Sequence, residues 1–557
     1  MTAPGIARGE LVAIAIGPAL DVGFATATGS WAGALPEVLT LEAECRPRWV
    51  WWSAATAGPL VAAGAVLATC WDVAAVHRLI FGGWHADPAL VWAALHDLPT
   101  DTIPGLGQLD LLAPAGDDSG DLDEPVRPDG HLRAEWTGGG WSRDSQRLQR
   151  WAALALRVAG LQRGRIATPA HAAAVGSESG AELLCVELAH GGLPLDRGVA
   201  ERLITPMIGP RPATPDEAEA QRRRRDELVL QHVPGREVDL RNPAQVKALL
   251  VGLGFDVPDT RSWRLEPFVG AHPVIEAFLA WRKAERIATT YGYSWLDENV
   301  GADGRLRGPW TGSDGAAGRM TAGAGLHNMP AELRPAVVAE PGQVLVRADL
   351  GQIEPRVLAA VSGDAALAAA TLDDDLYAPV AARLRVERPV AKVAVLAAMY
   401  GQTSGTAGEA LKGLESAYPT AMQYLRAASE EGRAGRDVRT YGGRLVRMWP
   451  TPAGVDETAA RSLAAARGRF ARNAMVQGAA AELFKAWALT VRARSGARIV
   501  LCLHDELLLQ APAGEGEEVA RALHRCLDEA AARWFRGSPV RFVADVSVVS
   551  RWSDAKG

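Results

Sequence analysis

The chain has 557 residues, a formal net charge of −6 and a pI near 6.1. Its length predicts several domains, and its 48% hydrophobic and 22% charged residues are typical of a globular protein with large cores. The mildly acidic charge does not indicate a nucleic-acid-binding protein, although a large enzyme can confine its basic residues to one groove.

Two further properties of the sequence bear on where the protein works. The five cysteines are odd in number, far apart and free of CxxC spacing, which predicts reduced intracellular thiols and excludes a disulfide framework or a zinc site. The first residues lack the basic region and apolar core of a signal peptide, and no apolar run is long enough to span a bilayer. We therefore expect a soluble cytoplasmic protein with no membrane partner.

The first part of the chain contains three successive patterns. Residues 1–100 alternate short apolar runs with Gly and Pro, which predicts a small α/β domain with one helical stretch over 57–80. Residues 101–142 are rich in Pro, Gly and Asp and predict a long surface loop. A strong helix is predicted over 143–163, with one apolar face made of Leu148, Trp151, Leu154, Ala155 and Val158.

In the rest of the chain, the pattern of apolar residues changes near residue 300. From about 180 to 290 the apolar periodicity is helical almost throughout, and the run Arg222–Arg225 is either a solvated helix face or a surface that follows phosphates. After 300, short strands and loops alternate with helices. The predicted elements are a strand over 344–349, helices over 388–401 and 467–493, a hairpin around His504-Asp505-Glu506 and a strand over 540–549.

Two carboxylates stand at the ends of apolar strands. Asp349 ends the strand VLVRAD, and Asp505 lies at the tip of a hairpin with apolar arms. Both positions bring a carboxylate to the edge of a buried sheet, where oxygen ligands can hold a hard cation. Taken singly, each has another explanation, since Asp349 could cap the next helix and His504-Asp505-Glu506 could be a polar turn.

The helix predicted over 388–401 carries two cations and an aromatic residue on one stripe. Arg388, Lys392, Leu396 and Tyr400 recur every fourth residue, so they share one slowly turning face. Cations near a helix N-terminus, whose free N–H groups attract anions, predict a triphosphate site. Taken alone, the segment could equally be a surface helix with two solvated cations.

The order of these segments resembles the three polymerase motifs of the DNA polymerase I family, that is, family A. Motif A corresponds to ADLGQIEPRVLAAVSGD (348–364), motif B to RPVAKVAVLAAMYG (388–401) and motif C to LHDELLLQAP (503–512). Further segments match in the same order: NPAQVKALL (242–250), GRM-x5-LHNMP (318–330), YGGR (441–444) and RGRFARNAMVQGAAAELFK (467–485). The resemblance covers about 180–557 without a break. Within that family, the chain resembles large-fragment proteins of the actinobacterial bifunctional 3′–5′ exonuclease/DNA polymerase type.

The resemblance implies a multidomain α+β fold of the right-hand type. A polymerase domain is expected over 166–557, with a thumb at about 190–300, fingers at about 371–440 and a palm formed by about 301–370 and 441–557. An RNase-H-like α/β domain over 1–165 is expected to precede it, as a degenerate exonuclease domain.

The resemblance also implies roles for individual residues. Asp349 and Asp505 would bind two Mg²⁺ ions, for which Mn²⁺ can substitute, with Glu506 assisting the metal site. The nucleotide-binding residues would be Arg388, Lys392, Gln352, Glu354, Leu396, Tyr400 and Tyr377. Among these, Lys392 would also offset charge on the leaving pyrophosphate, and Glu354, placed against Tyr400, would exclude a ribose 2′-hydroxyl. The DNA-binding residues would be Arg319, Asn328, Arg469, Asn473, Gln477 and His504.

Several positions depart from the family pattern. Leu350-Gly351 replaces the usual Tyr-Ser, Leu396 replaces an aromatic residue, and Val395 replaces an Asn. Tyr377 stands where a His that contacts the triphosphate is usual, and His327 where a Gln is usual. These changes affect the expected fidelity, sugar selectivity and rate, but they remove neither a metal ligand nor the Arg-Lys pair.

The N-terminal region departs further. A two-metal exonuclease needs about four carboxylates, yet the first strand offers only Asp21, and Asp72 matches a position that is not a ligand. Val76 stands where a ligand is expected, and the Tyr-x3-Asp of the third motif is missing from LQRWAALALRVAG.

The sequence therefore predicts a monomeric, nucleoid-associated DNA polymerase for repair or gap filling, without proofreading, acting on primer-template DNA and deoxynucleoside triphosphates. The alternatives are a polymerase with a working 3′–5′ exonuclease and a polymerase-fold DNA-binding protein without turnover.

Overall fold

The computed structural model describes residues 5–105, 121–401 and 407–555, with side chains from Leu411 onward in the last range. Its core is organised around two β-sheets, which we call the N-terminal sheet and the C-terminal sheet. Helices and strands are numbered separately in chain order, and the short 3-10 helices carry no number.

The N-terminal sheet has the order β3-β2-β1-β4-β5. Its strands are β1 (Leu11–Ile16), β2 (Asp21–Thr26), β3 (Gly29–Ala34), β4 (Arg48–Trp51) and β5 (Thr69–Asp72). β1, β2 and β3 pair antiparallel, whereas β4 and β5 run parallel to β1. The accompanying helices are α1 (Leu35–Cys45), α2 (Ala57–Ala62), α3 (Val73–Phe81), α4 (Pro88–Leu95), α5 (Ala134–Thr137) and α6 (Ser145–Gly164).

The predicted helix over 143–163 is confirmed as α6, and all five residues of its predicted apolar face are buried. The side chain of Asp144 caps it by accepting hydrogen bonds from the backbone N–H groups of Gln146 and Arg147. Aspartate is one of the residues favoured at this capping position.

Two predictions for this region are wrong in part. The helical stretch over 57–80 is interrupted by β5, because a short buried apolar run fits a strand as well as a helix and periodicity cannot separate them. The predicted surface loop over 101–142 lies partly outside the described residues, at 106–120. Its described second half contains α5 and the buried side chains of Leu132 and Trp136, which fill the core beside α6.

The middle of the chain is helical, as predicted. Its elements are α7 (Pro169–Gly191), β6 (Leu193–Pro194), α8 (Arg197–Ile208), α9 (Pro215–Leu230), α10 (Pro243–Gly252), α11 (Ser262–Leu265), α12 (Pro273–Thr290), α13 (Tyr293–Asn299) and β7 (Arg305–Leu306). α7, α9, α10 and α12 all begin at a proline preceded by a side-chain cap, a combination favoured at helix starts. Arg222, Arg223 and Arg224 are exposed on α9, while Arg225 pairs with Glu285 at 3.2 Å.

The C-terminal half contains the second sheet and the helices around it. Its first elements are β8 (Trp310–Asp314), β9 (Arg319–Ala322), β10 (Gln343–Leu350), α14 (Ile353–Ser362), α15 (Ala365–Ala370), α16 (Tyr377–Leu384), α17 (Arg388–Tyr400), α18 (Ala407–Ala417) and α19 (Pro419–Arg433). They are followed by β11 (Val438–Arg439), β12 (Leu445–Val446), α20 (Glu457–Arg494), β13 (Arg498–Leu503), β14 (Glu506–Pro512), α21 (Gly516–Trp534) and β15 (Ala544–Val549).

The C-terminal sheet is antiparallel, with the order β13-β14-β10-β15. Both of its faces are buried: Val346 and Leu509 face the core shared with α20 and α21, while Leu345 and Leu508 face a second core beneath α13. Strands covered on both faces are apolar along their length, which explains the near-continuous apolar run of the hairpin arms.

The two sheets share one continuous core. A single cluster of buried side chains runs from Val50 and Trp71 in the N-terminal sheet, through α7 and α20, to Val346 and Leu509 in the C-terminal sheet. The N-terminal sheet is therefore packed firmly behind the C-terminal sheet. Among the described helices, none combines the length and the hydropathy that a bilayer crossing requires.

Candidate active site

Asp349 and Asp505 meet at one edge of the C-terminal sheet. Asp349 is the next-to-last residue of β10, where it lies opposite Glu506 of β14 and Asp545 of β15. Asp505 lies in the turn between β13 and β14, and its backbone oxygen accepts a hydrogen bond from Leu350 N at 2.9 Å. The predicted hairpin is confirmed, and its tip, which carries Asp505, lies beside the end of β10, which carries Asp349.

A buried arginine lies under this pair. Arg347, two residues before Asp349 and on the same face of β10, donates hydrogen bonds to Asp349 Oδ2 at 2.8 Å and to Glu506 Oε2 at 3.2 Å. The other carboxylate oxygen of Glu506 accepts from Trp552 Nε1 at 2.6 Å. Both carboxylate oxygens of Glu506 thus accept hydrogen bonds from protein donors, and its assistance to the metal site stays a prediction.

The two aspartates form a pair of carboxyl groups whose pKa values are both raised. Burial first, and then the neighbouring charge of Asp505, raise the pKa of Asp349 to about 6 against the opposing effect of Arg347. Burial likewise raises the pKa of Asp505. Because a divalent cation would offset this repulsion, the donor set fits a hard metal ion.

The site suits metal ions whose coordination is completed by oxygen atoms of a bound substrate. Within the part of the chain that the structure describes, no group of three or more His, Cys, Asp or Glu side chains forms a metal-holding cluster. Mg²⁺ is commonly bound by one or two carboxylates together with the phosphates of a substrate, and not by a complete protein cage. Asp349 and Asp505 match that description.

A cavity of about 250 Å³, which we call the site pocket, opens beside Asp505. Nine residues singled out from the sequence line it: Arg319, Gln352, Glu354, Tyr377, Leu396, Tyr400, Gln477, His504 and Asp505. They come from β9, the start of α14, α16, α17, α20 and the hairpin tip. Segments far apart in the sequence therefore converge on one concave surface, as binding sites require.

Glu354 is the centre of the hydrogen bonds in the site pocket. Its Oε1 accepts from Arg319 at 3.1 Å, and its Oε2 accepts from the Tyr400 hydroxyl at 2.9 Å. Gln477 also hydrogen-bonds to Tyr400. Burial, followed by the charge of Glu354, raises the pKa of Tyr400 to about 12, so that this hydroxyl stays protonated and donates.

The predicted triphosphate cations lie on the same helix but outside the pocket wall. Along α17, Leu396 and Tyr400 line the site pocket, while Arg388 and Lys392 are exposed nearer the helix N-terminus. Arg388 is paired with Asp375, and its guanidinium lies 5.8 Å from the ring centroid of Tyr377. The four-residue stripe predicted from the sequence therefore runs from the pocket to the solvent.

The remaining predicted DNA contacts surround the pocket at greater distance. Asn328 lines a neighbouring cavity together with His504 and Asp505. Asn473 is half-buried on α20, and its Oδ1 has no hydrogen-bond partner among the described residues. Arg469 is exposed and packs against Gly401, where a Cβ would lie 2.9 Å from its Cγ.

Sequence reasoning missed two buried arginines. Arg347 could have been found from its spacing, because residues two apart on a strand share a face and Arg347 precedes Asp349 by two. Arg356 is fully buried in α14 and donates hydrogen bonds to five backbone carbonyl oxygens, those of Gly351, Thr371, Asp373, Asp374 and Arg541. It joins α14 to the loop before α16, and nothing in the sequence around it predicts these partners.

Two of the departures from the family pattern fall inside the site. Tyr377 is buried against the pocket, and burial raises the pKa of its hydroxyl to about 12. His327 packs edge-on against His504, with ring centroids 4.3 Å apart. Both unusual residues thus touch surfaces that the nucleotide or the DNA was predicted to occupy.

A sequence model of DNA polymerase family A matches residues 216–554, which include both aspartates and the whole site pocket. The chain belongs to DNA polymerase family A. Relatives include DNA polymerase I of Chloroflexus aurantiacus, 30% identical over 323 residues, and the thermostable DNA polymerase I of Thermus thermophilus, 30% identical over 324 residues. These alignments cover 52% and 53% of this chain, but only 33% and 38% of the relatives. The aligned part thus spans about a third of the relatives' length.

A solved structure resembles nearly the whole chain. It is described as the POL domain of Pol1 from M. smegmatis in complex with DNA primer-template and dNTP, with a TM-score of 0.70 and 21% sequence identity. The alignment covers 98% of this chain and 96% of that one. This likeness confirms the predicted α+β, right-hand fold class, including the α/β region that precedes the polymerase motifs.

Proposed function

We propose that this family A protein is a template-directed DNA polymerase that adds deoxynucleotides to a primer 3′ end. The observation that carries the proposal is the pairing of Asp349 with Asp505 at a sheet edge beside the site pocket. Two carboxylates in this position suit two-metal nucleotidyl transfer, in which bound Mg²⁺ ions activate the attacking hydroxyl and stabilise the transferring phosphate.

The protein's own residues would position the nucleotide. Arg388 and Lys392, near the N-terminus of α17, would hold the triphosphate, and Lys392 would offset charge on the departing pyrophosphate. Gln352, Tyr377, Leu396 and Tyr400 would surround the sugar and base. The hydrogen bonds from Arg319 and Tyr400 fix Glu354 in the pocket, where its carboxylate would exclude a ribose 2′-hydroxyl.

Primer and template would cross the surface around the pocket. His504, Gln477 and Arg319 line the pocket itself, whereas Asn328, Asn473 and Arg469 lie farther out. Polar side chains that accept or donate at the minor-groove edge can check the shape of a base pair without reading its sequence, because all correct pairs share acceptors there.

We further propose that the N-terminal region has no proofreading activity. Val76 and Trp151 lie in the helices that correspond to the second and third exonuclease motifs, and both are buried. Trp151 stacks on Trp52 at 4.6 Å and on Trp141 at 5.8 Å, so aromatic side chains occupy the space beside these helices. Asp72 is buried and accepts hydrogen bonds from Trp51 Nε1 and Ala75 N, which favours a structural role.

Primer extension by the purified full chain tests the polymerase proposal. With a DNA template, four deoxynucleoside triphosphates and Mg²⁺, we expect the primer to reach the end of the template. Extension should stop with EDTA and return when Mg²⁺ or Mn²⁺ is added in excess. Tight primer-template binding without any extension would instead favour a DNA-binding protein without turnover. A parallel reaction with an RNA template shows whether the protein copies RNA as well as DNA.

A further inference from the structure

A second cavity lies at the junction of the N-terminal sheet with the C-terminal helices. This junction cavity has a volume of about 560 Å³, and none of the described residues lines both this cavity and the site pocket. It lies at the starting ends of the parallel strands β4 and β5, between α7, the last turn of α20 and α21. Asp72 lies at the other end of β5, so the cavity is distinct from the exonuclease-like end of the sheet.

Glycines of α7 form part of the cavity wall. A Cβ at Gly176 would meet no atom of the described chain within 4 Å outside its own helix backbone, so the helix leaves open space there. One turn later, a Cβ at Gly180 would lie 2.6 Å from Leu489 Cδ1, which shows that α7 and α20 are in close contact at this point. The cavity is therefore an opening bounded by tightly packed helices.

The lining is strongly basic. The described residues that line it include Arg48, Arg492, Arg494 and Arg533, with Glu529 as the one acidic residue among them. Arg494 and Arg533 both bind Glu529, at 3.2 and 2.6 Å, so two cations share one carboxylate. Arg492 is neutralised separately by Glu187, which lies outside the lining.

Arg48 has no acidic partner among the described residues. Its Nε donates to the Cys70 backbone oxygen at 3.2 Å, and its guanidinium lies 5.0 Å from the ring centroid of Trp71. Burial lowers the pKa of Arg48, and the nearby Arg163 lowers it further. A half-buried cation without a counter-ion is unfavourable, and an anion in the cavity would relieve that cost.

We propose that the junction cavity binds a small phosphate-bearing anion through Arg48, Arg494 and Arg533. The volume falls within the range of small-ligand pockets. Guanidinium groups bind phosphate oxygens in a two-point manner, and three of them with one shared carboxylate leave positive charge for a polyphosphate. Such a ligand would bridge the N-terminal sheet, through Arg48, and the C-terminal helices, through Arg494 and Arg533.

This bridging predicts a measurable effect on the folded protein. An anion that binds only the native state raises its stability by mass action. We therefore expect tripolyphosphate to raise the melting temperature of the full chain. Because the attraction is electrostatic, the effect should weaken as the salt concentration rises.

The test must separate this cavity from the proposed triphosphate site. It uses isothermal titration of inorganic tripolyphosphate, in EDTA, into the full chain carrying Arg388→Ala and Lys392→Ala. On that background, Arg48→Gln and Arg533→Gln should each weaken binding by at least about tenfold, as expected for loss of a charge-assisted contact to phosphate. The matched control is Arg525→Gln, an exposed arginine on the same helix α21 that pairs with Glu518 outside the cavity.

Because the titration measures tripolyphosphate binding in EDTA, its result does not depend on whether the protein polymerises DNA. Unchanged tripolyphosphate binding in Arg533→Gln, or equal losses in Arg525→Gln, would overturn it, as would the absence of binding to the background protein. Arg533 is 66% exposed, so its variant remains decisive if Arg48→Gln fails to fold. A titration with dATP shows which part of a ligand the cavity recognises. If dATP binds as tightly as tripolyphosphate, the cavity recognises the phosphate chain alone. If dATP binds more tightly, the ligand is a nucleoside phosphate. A short single-stranded oligonucleotide that binds through Arg48 and Arg533 where tripolyphosphate does not would also overturn the proposal.

Discussion

Arg388 and Asp375 form a two-point ion pair, with Nε donating to Oδ2 at 2.5 Å and Nη2 donating to Oδ1 at 3.1 Å. Arg388 is the residue that we propose for the triphosphate, and its guanidinium is thus already engaged by a carboxylate. A bound triphosphate must compete with Asp375 for the same donors. In the proposed site, this pairing would therefore lower the affinity of the free protein for a nucleotide.

Asp375→Asn should strengthen nucleotide binding. The change removes the competing charge while keeping the Oδ1 acceptor that binds Tyr377 N. Because exposed ion pairs contribute little, we expect a fall in KM of about two- to fivefold with kcat nearly unchanged. Steady-state kinetics of single-nucleotide insertion measure it, with Glu387→Gln, an exposed acid next to Arg388, as the matched control. A fall in KM that persists in an Arg388→Ala background would contradict the assignment.

Lys392→Ala should impair nucleotide use far more than DNA binding. Loss of a charge-assisted contact to the triphosphate and the leaving group predicts a fall in kcat/KM of at least ~100-fold, about 2.7 kcal/mol. The control is Lys412→Ala, an exposed lysine on α18. If nucleotide dependence is unchanged and DNA affinity falls instead, Lys392 belongs to the duplex-binding surface.

Glu354→Ala should admit ribonucleotides. The variant removes the carboxylate held by Arg319 and Tyr400 and opens space where the sugar 2′ position is proposed to lie. The measurement is the ratio of ribonucleotide to deoxynucleotide insertion, with Glu354→Gln as the control that preserves side-chain volume. If the parent protein already inserts ribonucleotides and deoxynucleotides equally well, Glu354 does not exclude the 2′-hydroxyl. Leu350 and Leu396 would then be the next residues to test.

The full chain should not shorten a mismatched primer. We expect an end-labelled primer with a mismatched 3′ end to stay intact with Mg²⁺ or Mn²⁺ and no nucleotides, because the helices of the exonuclease motifs offer apolar and aromatic side chains. An Asp349→Asn/Asp505→Asn variant removes any contribution of the polymerase site. Shortening that persists in this variant and disappears after Asp21→Asn/Asp72→Asn would prove the N-terminal region to be a working exonuclease.

The active-site elements were predictable because each carries a strong local signal. Apolar runs ending in Asp349 and flanking Asp505 predicted β10 and the hairpin, and the four-residue stripe of α17 predicted which side chains share a face. Sequence reasoning failed where tertiary packing decides the structure. The strand β5 was hidden in a helical pattern, and Leu132 and Trp136 were assigned to a surface loop although they are buried.

The partners of charged side chains were the least predictable part. Asp375 and Arg388 lie 13 residues apart, and their pairing depends on how the loop before α16 turns toward α17. Arg356 reaches carbonyl oxygens up to 185 residues away. No local pattern encodes such contacts, which form only when distant segments are already packed.

Asp349 and Asp505 are the residues that we propose to hold the metals of nucleotidyl transfer. The most direct test is the single-turnover rate of primer extension by Asp349→Asn and Asp505→Asn, with primer-template affinity measured alongside. The control is Asp545→Asn, which removes an acid paired in register with Asp349 on the next strand. We predict that each of the first two changes abolishes extension and leaves DNA binding and folding largely intact, while Asp545→Asn retains most of the rate. A rate within about tenfold of the parent for either Asp349→Asn or Asp505→Asn would contradict the two-metal assignment.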